Sequence, residues 1–406
     1  MSTVPPPAVL RQGNLPHDEK ATLICFSHLR WNFVFQRPQH LLTRAAKRFD
    51  VLFYEEPIFD ESSRSHLNVT VTDDGITVIT PRLPRGLSAA EVVVTQRRLL
   101  NMFIASRQHK PSLAWYYTPM ALQFTAHLDF DCVVYDCMDE LSNFKNAPSN
   151  MRDLEAELLS RADIVFTGGR ALFEAKKHMH QNIYAFPSSI DRAHFNAARS
   201  KSRNVEPDDQ QAIPHPRVGF FGVIDERTDI ELLAEVAQQR PSYQFVILGP
   251  VVKIDPATLP STSNIHWLGQ KDYHHLPLYM AHWDAGFMPF AINDATRFIS
   301  PTKTPEFLAA GIPLVSTPIE DVVKSWGKPG LVSIASTASQ MCAEIDRALT
   351  VDRSLWLKRV DLALASMSWD QTFAAMLALI DLQPPFRKLS VGNHITATPI
   401  LGDAHV

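Results

Sequence analysis

The sequence predicts two consecutive doubly wound α/β domains that face each other across a cleft. Three observations carry that expectation. Short β-branched and aromatic runs alternate with longer amphipathic stretches, the pattern of parallel sheets built from βαβ units. A length of 406 residues asks for two domains, or three, at roughly 100–200 residues each. The alternation is broken near its middle by the polar, proline-bearing and aperiodic stretch 196–216, which reads as an interdomain linker.

In the first half the strand candidates are Thr22–Phe26, Val51–Glu55, Ile76–Thr80, Ser112–Tyr117, Cys132–Asp136, Ile164–Thr167 and Ile183–Phe186. Between the first two, Leu41, Leu42, Ala45, Ala46 and Phe49 recur at helical spacing. The second half repeats the pattern with Arg217–Phe221, Gln244–Leu248, Ile265–Leu268, Ala285–Met288, Pro313–Ser316 and Leu331–Ile334. Its helices are expected near Asp229–Gln239, Thr304–Ala310 and Thr337–Thr350, with two closing helical stretches at Ser354–Met367 and Asp370–Ile380. The expected organisation is an N-terminal extension at 1–20, a first domain at 21–195, the linker at 196–216, a second domain at 217–365, a helix at 366–382 returning to the first domain, and a loose tail at 383–406.

Composition narrows the function. A net charge of -4 offers no global positive field for a nucleic acid. The four cysteines, Cys25, Cys132, Cys137 and Cys342, include no Cys-x-x-Cys pair, which speaks against a zinc site and a disulfide framework and fits a reducing compartment. The first twenty residues lack the apolar stretch of a signal peptide, so a cytoplasmic protein is expected. The segment from Thr22 to Phe49 contains no glycine, and no G-x-x-x-x-G-K-[ST] occurs anywhere. The first unit therefore cannot carry the dinucleotide fingerprint, and the P-loop NTPases are excluded.

The loop after the first strand, Ser27–His40, instead gathers Arg30, Trp31, Asn32, Gln36, Arg37 and His40, donors and flat surfaces suited to a polar or anionic ligand. The competing reading packs its aromatic rings beneath the loop. In the second half, SPTKTPEFLAAGIPLVST (Ser300–Thr317) places Lys303 and Glu306 three residues apart on the first turn of a helix. A cation there attracts phosphate, and an ionised carboxylate accepts hydrogen bonds from ribose hydroxyls. The competing reading is a surface ion pair.

SPTKTPEFLAAGIPLVST, with GFFGVIDERTDIELL (Gly219–Leu233) and DAGFMPF (Asp284–Phe290), resembles the nucleotide-sugar-binding domain of GT-B glycosyltransferases. WNFVFQRPQHLL, YDCMDEL (Tyr135–Leu141), ADIVFTGG (Ala162–Gly169) and FPSSID (Phe186–Asp191) resemble the subgroup of the teichuronic-acid-biosynthesis glycosyltransferase, over about residues 20–382. The resemblance implies the GT-B fold, two Rossmann-like domains across a cleft, and transfer of a sugar from a nucleoside-diphosphate donor, with a lean to uridine. The acceptor would be a glycan or a polyprenyl-linked molecule of cell-surface polysaccharide synthesis.

Lys303 would then hold the donor diphosphate with Arg227 as a second cation, and Glu306 the ribose. Ser300, Thr302 and Gly222 would border the donor, while the backbone at Leu268 and Gly269 would face the base near Tyr273. Three departures stand out: Phe298 occupies the place of a glutamate common in retaining members, Gly222–Val223 replaces a Gly-Arg pair, and the family's glycine-rich loop in the first domain is absent. On the acceptor side, His28, Arg30, Trp31, Gln36, Arg37, Asp136 and Glu140 are the expected contacts. Of the acids in YDCMDEL, Asp139 is the preferred catalytic base, with a cap or loop-stabilising acid as the alternative; a front-face retaining route would need no protein base. No metal and no cofactor beyond the nucleotide-sugar co-substrate are expected.

Lys176, Lys177, His178 and His180 offer a basic face for peripheral contact with the inner membrane, against the plain reading of a solvated charge run. Competing with a transferase are a catalytically silent GT-B binding protein and another two-domain nucleotide-sugar enzyme such as a hydrolysing epimerase.

Overall fold

The computed structural model describes residues 20–61, 64–200 and 205–383. Among these, the first domain holds a nine-stranded sheet: β1 (Thr22–Ser27), β2 (Asp50–Glu55), β3 (Ile58–Asp60), β4 (His66–Val71), β5 (Thr77–Pro84), β6 (Leu113–Tyr116), β7 (Cys132–Cys137), β8 (Ile164–Thr167) and β9 (Ile183–Ala185). Its order is β3-β5-β2-β1-β6-β7-β8-β9, parallel throughout, with β4 added antiparallel to β5.

The second domain has six described strands, β10 (Arg217–Phe221), β11 (Gln244–Leu248), β12 (Ile265–Gly269), β13 (Ala285–Met288), β14 (Leu314–Ser316) and β15 (Ser333–Ile334), all parallel in the order β12-β11-β10-β13-β14-β15. Strand order reverses beside β1 in one sheet and beside β10 in the other. The crevice at the carboxyl end of such a switch point is where doubly wound folds bind ligands.

Both sheets are buried on two faces, so their central strands read as continuous apolar runs. On β1, Leu23 and Cys25 enter the core on one side while Ile24 and Phe26 enter the core on the other. The closing helix Trp369–Asp381 presents Trp369, Phe373, Met376 and Ile380, at helical spacing, to the Leu23 side of the first sheet. Each such side chain stabilises the docking by roughly 1.5–3 kcal/mol when fully buried. Arg44–Asp370 and Arg48–Asp381 ion pairs, at 3.0 and 2.8 Å, flank that seam. The preceding helix Arg353–Leu364 stays with the second domain through Trp356, Val360 and Leu364.

Two features differ from the sequence reading. Strands β3 and β4 were not anticipated, because β4 is an edge strand with Val69 and Val71 exposed and shows no one-sided alternation to signal it. The stretch 196–216, expected as the interdomain linker, is anchored at several points where it is described, although Val205 is 82% exposed. Ala198 and Gln210 are buried, and the Gln210 amide accepts from Trp283 Nε1 at 2.8 Å and donates to the Tyr279 carbonyl at 3.2 Å. Paired amides can be buried, which composition alone does not show. The expected N-terminal extension and tail lie outside the described residues, apart from Lys20 and Gln383.

Candidate functional site

A cleft of about 420 Å³ opens between the two domains. Its second-domain wall is built where β10 ends. Gly222 follows that strand with φ +141°, and a Cβ there would lie 2.0 Å from Lys303 Cε. The absent side chain is the slot through which Lys303 reaches the cleft. Lys303 Nζ lies 5.8 Å from the centroid of the Phe221 ring and forms no ion pair among the described residues. Burial lowers its pKa, with Arg227 adding to the effect and Glu306 opposing it. Such a cation is short of a counter-anion.

Glu306, one turn along the helix Lys303–Ala309, is 5% exposed and lines the same cleft. Burial raises its pKa to about 7 against the pull of Lys303. Arg227 also lines the cleft, aimed by a buried Asp225 whose carboxylate accepts from Nε at 3.0 Å and from the terminal nitrogen at 2.7 Å. Ser300 and Thr302 stand at the start of the helix and border the same space. Gly222→Ala should therefore force Lys303 out of its slot. We expect nucleotide affinity to fall by roughly tenfold or more, the loss of one charge-assisted contact, together with a lower melting temperature, because φ +141° is strained for alanine; titration calorimetry and thermal melting check both.

The nucleobase expectation shifts along the chain. Leu268 packs on the second-domain core, and the Gly269 carbonyl is taken by Gly249 N–H at 2.8 Å. The cleft is instead lined by the following turn, from Gln270 through Tyr273 to His274. Gly269, at φ +71°, turns the chain into it. Tyr273 is stacked between Phe35 of the first domain and His194, each with centroids 4.5 Å away. The Gln270 amide donates to the Phe33 carbonyl across the same gap.

Several acceptor-side expectations are corrected. Arg30 is turned away from the cleft: its guanidinium pairs with Glu55 at 3.2 Å and donates to the Pro57 carbonyl at 3.1 Å. Trp31 borders the cleft yet is 8% exposed, its ring on Phe53 and its backbone N–H donating to the Glu55 carboxylate at 2.7 Å. Arg37 and Asp136 spend their hydrogen bonds on one another. Nε and a terminal nitrogen of Arg37 reach the Asp136 carboxylate at 3.0 and 2.8 Å, the other terminal nitrogen reaches the Phe186 carbonyl at 2.8 Å, and both residues are buried. Gln36 lines the cleft, with its backbone N–H held by Gln39 at 3.0 Å.

Glu140 is likewise spent, because Lys176 bridges it at 2.6 Å to Glu155 at 2.8 Å. With Lys176 4% exposed, Lys177 paired to Glu174 and His180 bonded to the Ala162 carbonyl, the expected basic face is not assembled. Lys176 reads from sequence as a surface charge because its two carboxylate partners sit on other elements.

Asp139 does reach the cleft. Burial raises its pKa to about 6, with Asp225 adding to the rise and Arg227, Arg37 and Lys253 opposing it. His28, on the loop leaving β1, has its pKa lowered to about 4 by burial and by Lys253 and Arg227. Phe298 packs against the first-domain core, so it bridges the domains rather than facing a ligand. Among the described residues no group of three or more metal-ligating side chains converges, and no helix is long and apolar enough to cross a membrane.

Sequence reasoning missed the groups that hold the domains together. Asp321 of the second domain accepts from Arg170 and Ala171 N–H, both at 2.9 Å, at the start of the first-domain helix Arg170–Lys176. A Cβ on Gly169 would meet that carboxylate at 2.5 Å, so Gly169 permits the approach, while Gly168 clears the Met138 backbone. Ser188 Oγ donates to the Ser300 carbonyl at 2.6 Å, and the Asn143 amide to the Asp294 carbonyl at 3.1 Å. The glycine pair was the available signal.

No family model matches the chain. A curated relative, the proposed teichuronic acid biosynthesis glycosyltransferase TuaH of Bacillus subtilis (strain 168), is 26% identical over 236 residues, covering 54% of this chain and 59% of that protein. The match thus spans under two thirds of the relative. Among solved structures, the sucrose-phosphate synthase of Thermosynechococcus elongatus superposes with a TM-score of 0.65 at 14% identity, covering 91% of this chain and 99% of that one. A trehalose-phosphate synthase (UDP-forming) from Burkholderia xenovorans, in complex with glucose-6-phosphate, gives 0.65 at 12% identity over 88% and 100% of the two chains. An E. coli trehalose-6-phosphate structure bound with UDP-2-fluoro glucose gives 0.62 at 12% identity over 89% and 99%. With two doubly wound domains closing on one cleft, and these proteins superposing over nearly their whole length, the chain has the GT-B glycosyltransferase fold.

Proposed function

We propose that this protein is a glycosyltransferase that moves a sugar from a nucleoside-diphosphate-sugar, with uridine as the favoured base, to a glycan or polyprenyl-linked acceptor of cell-surface polysaccharide. One observation carries the reading: Lys303, a cleft-lining cation with no ion pair among the described residues, is admitted by the missing side chain of Gly222 and stands one helical turn from Glu306. The likeness to TuaH supports the polysaccharide context, and a neighbour bound with UDP-2-fluoro glucose supports uridine.

In this mechanism the donor diphosphate lies against Lys303 and Arg227, and the Glu306 carboxylate accepts the ribose hydroxyls. As the glycosidic bond breaks, negative charge grows on the leaving diphosphate, and two cations already in place stabilise it without reorganising. Asp139 takes the proton of the attacking hydroxyl. Its raised pKa suits that task near neutrality, since a base must be ionised yet still bind a proton well.

Because the base works ionised, kcat/KM should rise with pH through about 6 and fall away below it. Asp139→Asn should lower turnover by roughly 10²–10⁴-fold, flatten that limb and leave nucleotide affinity within about twofold. Unchanged turnover would point to a route without a protein base. The reaction itself is tested by incubation with a panel of nucleotide sugars, with and without glycan or polyprenyl phosphate acceptors. Transfer supports the proposal; interconversion of the donor, or no product from any donor, contradicts it.

A further inference from the structure

A buried lysine ties the loop that carries Asp139 to two helices. Lys176, the last residue of the helix Arg170–Lys176, is 4% exposed and places Nζ 2.6 Å from Glu140 Oε2 and 2.8 Å from Glu155 Oε2. Glu155 stands on the helix Met151–Arg161 and takes two further bonds from β7, the Tyr135 hydroxyl at 2.7 Å and the Cys137 thiol at 3.7 Å. Glu140 follows Asp139 in the chain and also accepts from Ser142 Oγ at 2.7 Å. Against the cost of burial, hydrogen bonds from Lys176 and Ser142 lower the pKa of Glu140, and against the same cost Cys137 and Glu155 raise that of Lys176. Both stay ionised, and short hydrogen bonds between ionised partners are the strong ones.

Asp139 is held in a different way. Its carboxylate lines the cleft and makes no hydrogen bond or ion pair among the described residues. A base whose oxygens must stay free for a substrate proton cannot be aimed through those oxygens, so its position has to come from the chain on either side. Before it, the Cys137 carbonyl accepts from Gly168 N–H at 2.9 Å, and the Cys137 thiol donates to the Asp139 carbonyl at 3.6 Å. After it, the Glu140 side chain is clamped by Lys176, and the Glu140 carbonyl accepts from Asn143 N–H at 3.0 Å. The clamp is anchored in turn, because the helix that ends at Lys176 begins where Asp321 accepts from Arg170 and Ala171 N–H.

We propose that Lys176 is a positioning residue of the transfer: through Glu140 it fixes the backbone from which Asp139 meets the acceptor hydroxyl. The inference rests on the transferase reading above and needs no ligand contact, since neither Lys176 nor Glu140 is among the described residues that line the cleft. A displaced base is costly, because a misplacement of about 1 Å can lower a rate by about 10²-fold.

Glu140→Ala tests this, since Lys176 keeps Glu155 as its counter-ion and no buried charge is stranded. Turnover should fall by about tenfold or more, while UDP affinity measured by calorimetry stays within about twofold. Glu140→Gln, which keeps an oxygen acceptor for Lys176, should recover most of the loss. In an Asp139→Asn background, adding Glu140→Ala should change turnover by less than about twofold, because no base is left to position; a merely structural role would lower both backgrounds alike. Hydrogen exchange read by mass spectrometry should quicken across residues 138–144 in Glu140→Ala and stay unchanged in the peptide that holds Lys303. Unchanged turnover, an equal fall in both backgrounds, or unchanged exchange over that loop would overturn the proposal. If Glu140→Ala does not fold, Lys176→Met with Glu155→Gln removes the clamp from the other side and should give the same pattern. Should the parent transfer no sugar, or Asp139→Asn turn over as the parent does, the proposed function or its base falls, and the exchange result alone decides the clamp.

Discussion

Replacing Lys303 by alanine should lower kcat/KM by on the order of 10²-fold or more, the usual consequence of removing one preorganised charge from a developing anion. The argument is geometric. Lys303 threads a slot that exists because Gly222 has no Cβ, and its ammonium lies over an aromatic face near a carboxylate of raised pKa, with no ion pair among the described residues. Because the cation has no ion pair to lose, the melting temperature should hold or rise slightly. Lys303→Arg should not restore activity, since a planar guanidinium is too broad for a slot fitted to a chain of methylenes. Steady-state kinetics beside thermal melting separate lost chemistry from lost fold; activity within about twofold of the parent in Lys303→Ala would remove the assignment.

Arg37→Met should give the largest loss of stability, about 3–5 kcal/mol, by leaving the Asp136 carboxylate charged and dry beneath the cleft. The pair joins the helix after β1 to the end of β7, and the third arm of the guanidinium fixes the Phe186 carbonyl. Its removal therefore loosens both loops that frame the first-domain side. Replacing the partners together, Arg37→Met with Asp136→Leu, should recover most of the loss, because an apolar pair carries no stranded charge. Thermal or denaturant melting of both variants reads this out. A double variant as unstable as the single one would mean that the Phe186 contact, rather than the ion pair, holds the loop.

How far the chain could be read follows from the range of its interactions. The central strands were legible because both sheets are covered on two faces, which leaves continuous apolar runs; edge strand β4 was not, because water on its outer side erases the pattern. Lys303 and Glu306 stand three residues apart on one helix, a spacing that equally fits a surface ion pair, and it is the resemblance of the surrounding motif that points to a donor site. The Arg37–Asp136 pair joins residues 99 positions apart, and Glu140 and Lys176 meet only through folding. Each of those charges looked free for a ligand when its partner lay far along the chain. Tyr273 was found by analogy, but the ring stacked on it, Phe35, comes from the opposite domain and carried no signal of that role.

The central claim is that the cleft binds a nucleoside diphosphate by its phosphates. It is tested most directly by the calorimetric affinities of UDP and uridine for the parent protein and for Lys303→Ala, repeated for the other common bases if uridine is not preferred. The account predicts that the diphosphate binds about 10²-fold or more tightly than its nucleoside, and that most of this gap closes in the variant. Equal affinities in the parent, or a gap that Lys303→Ala leaves unchanged, would contradict it.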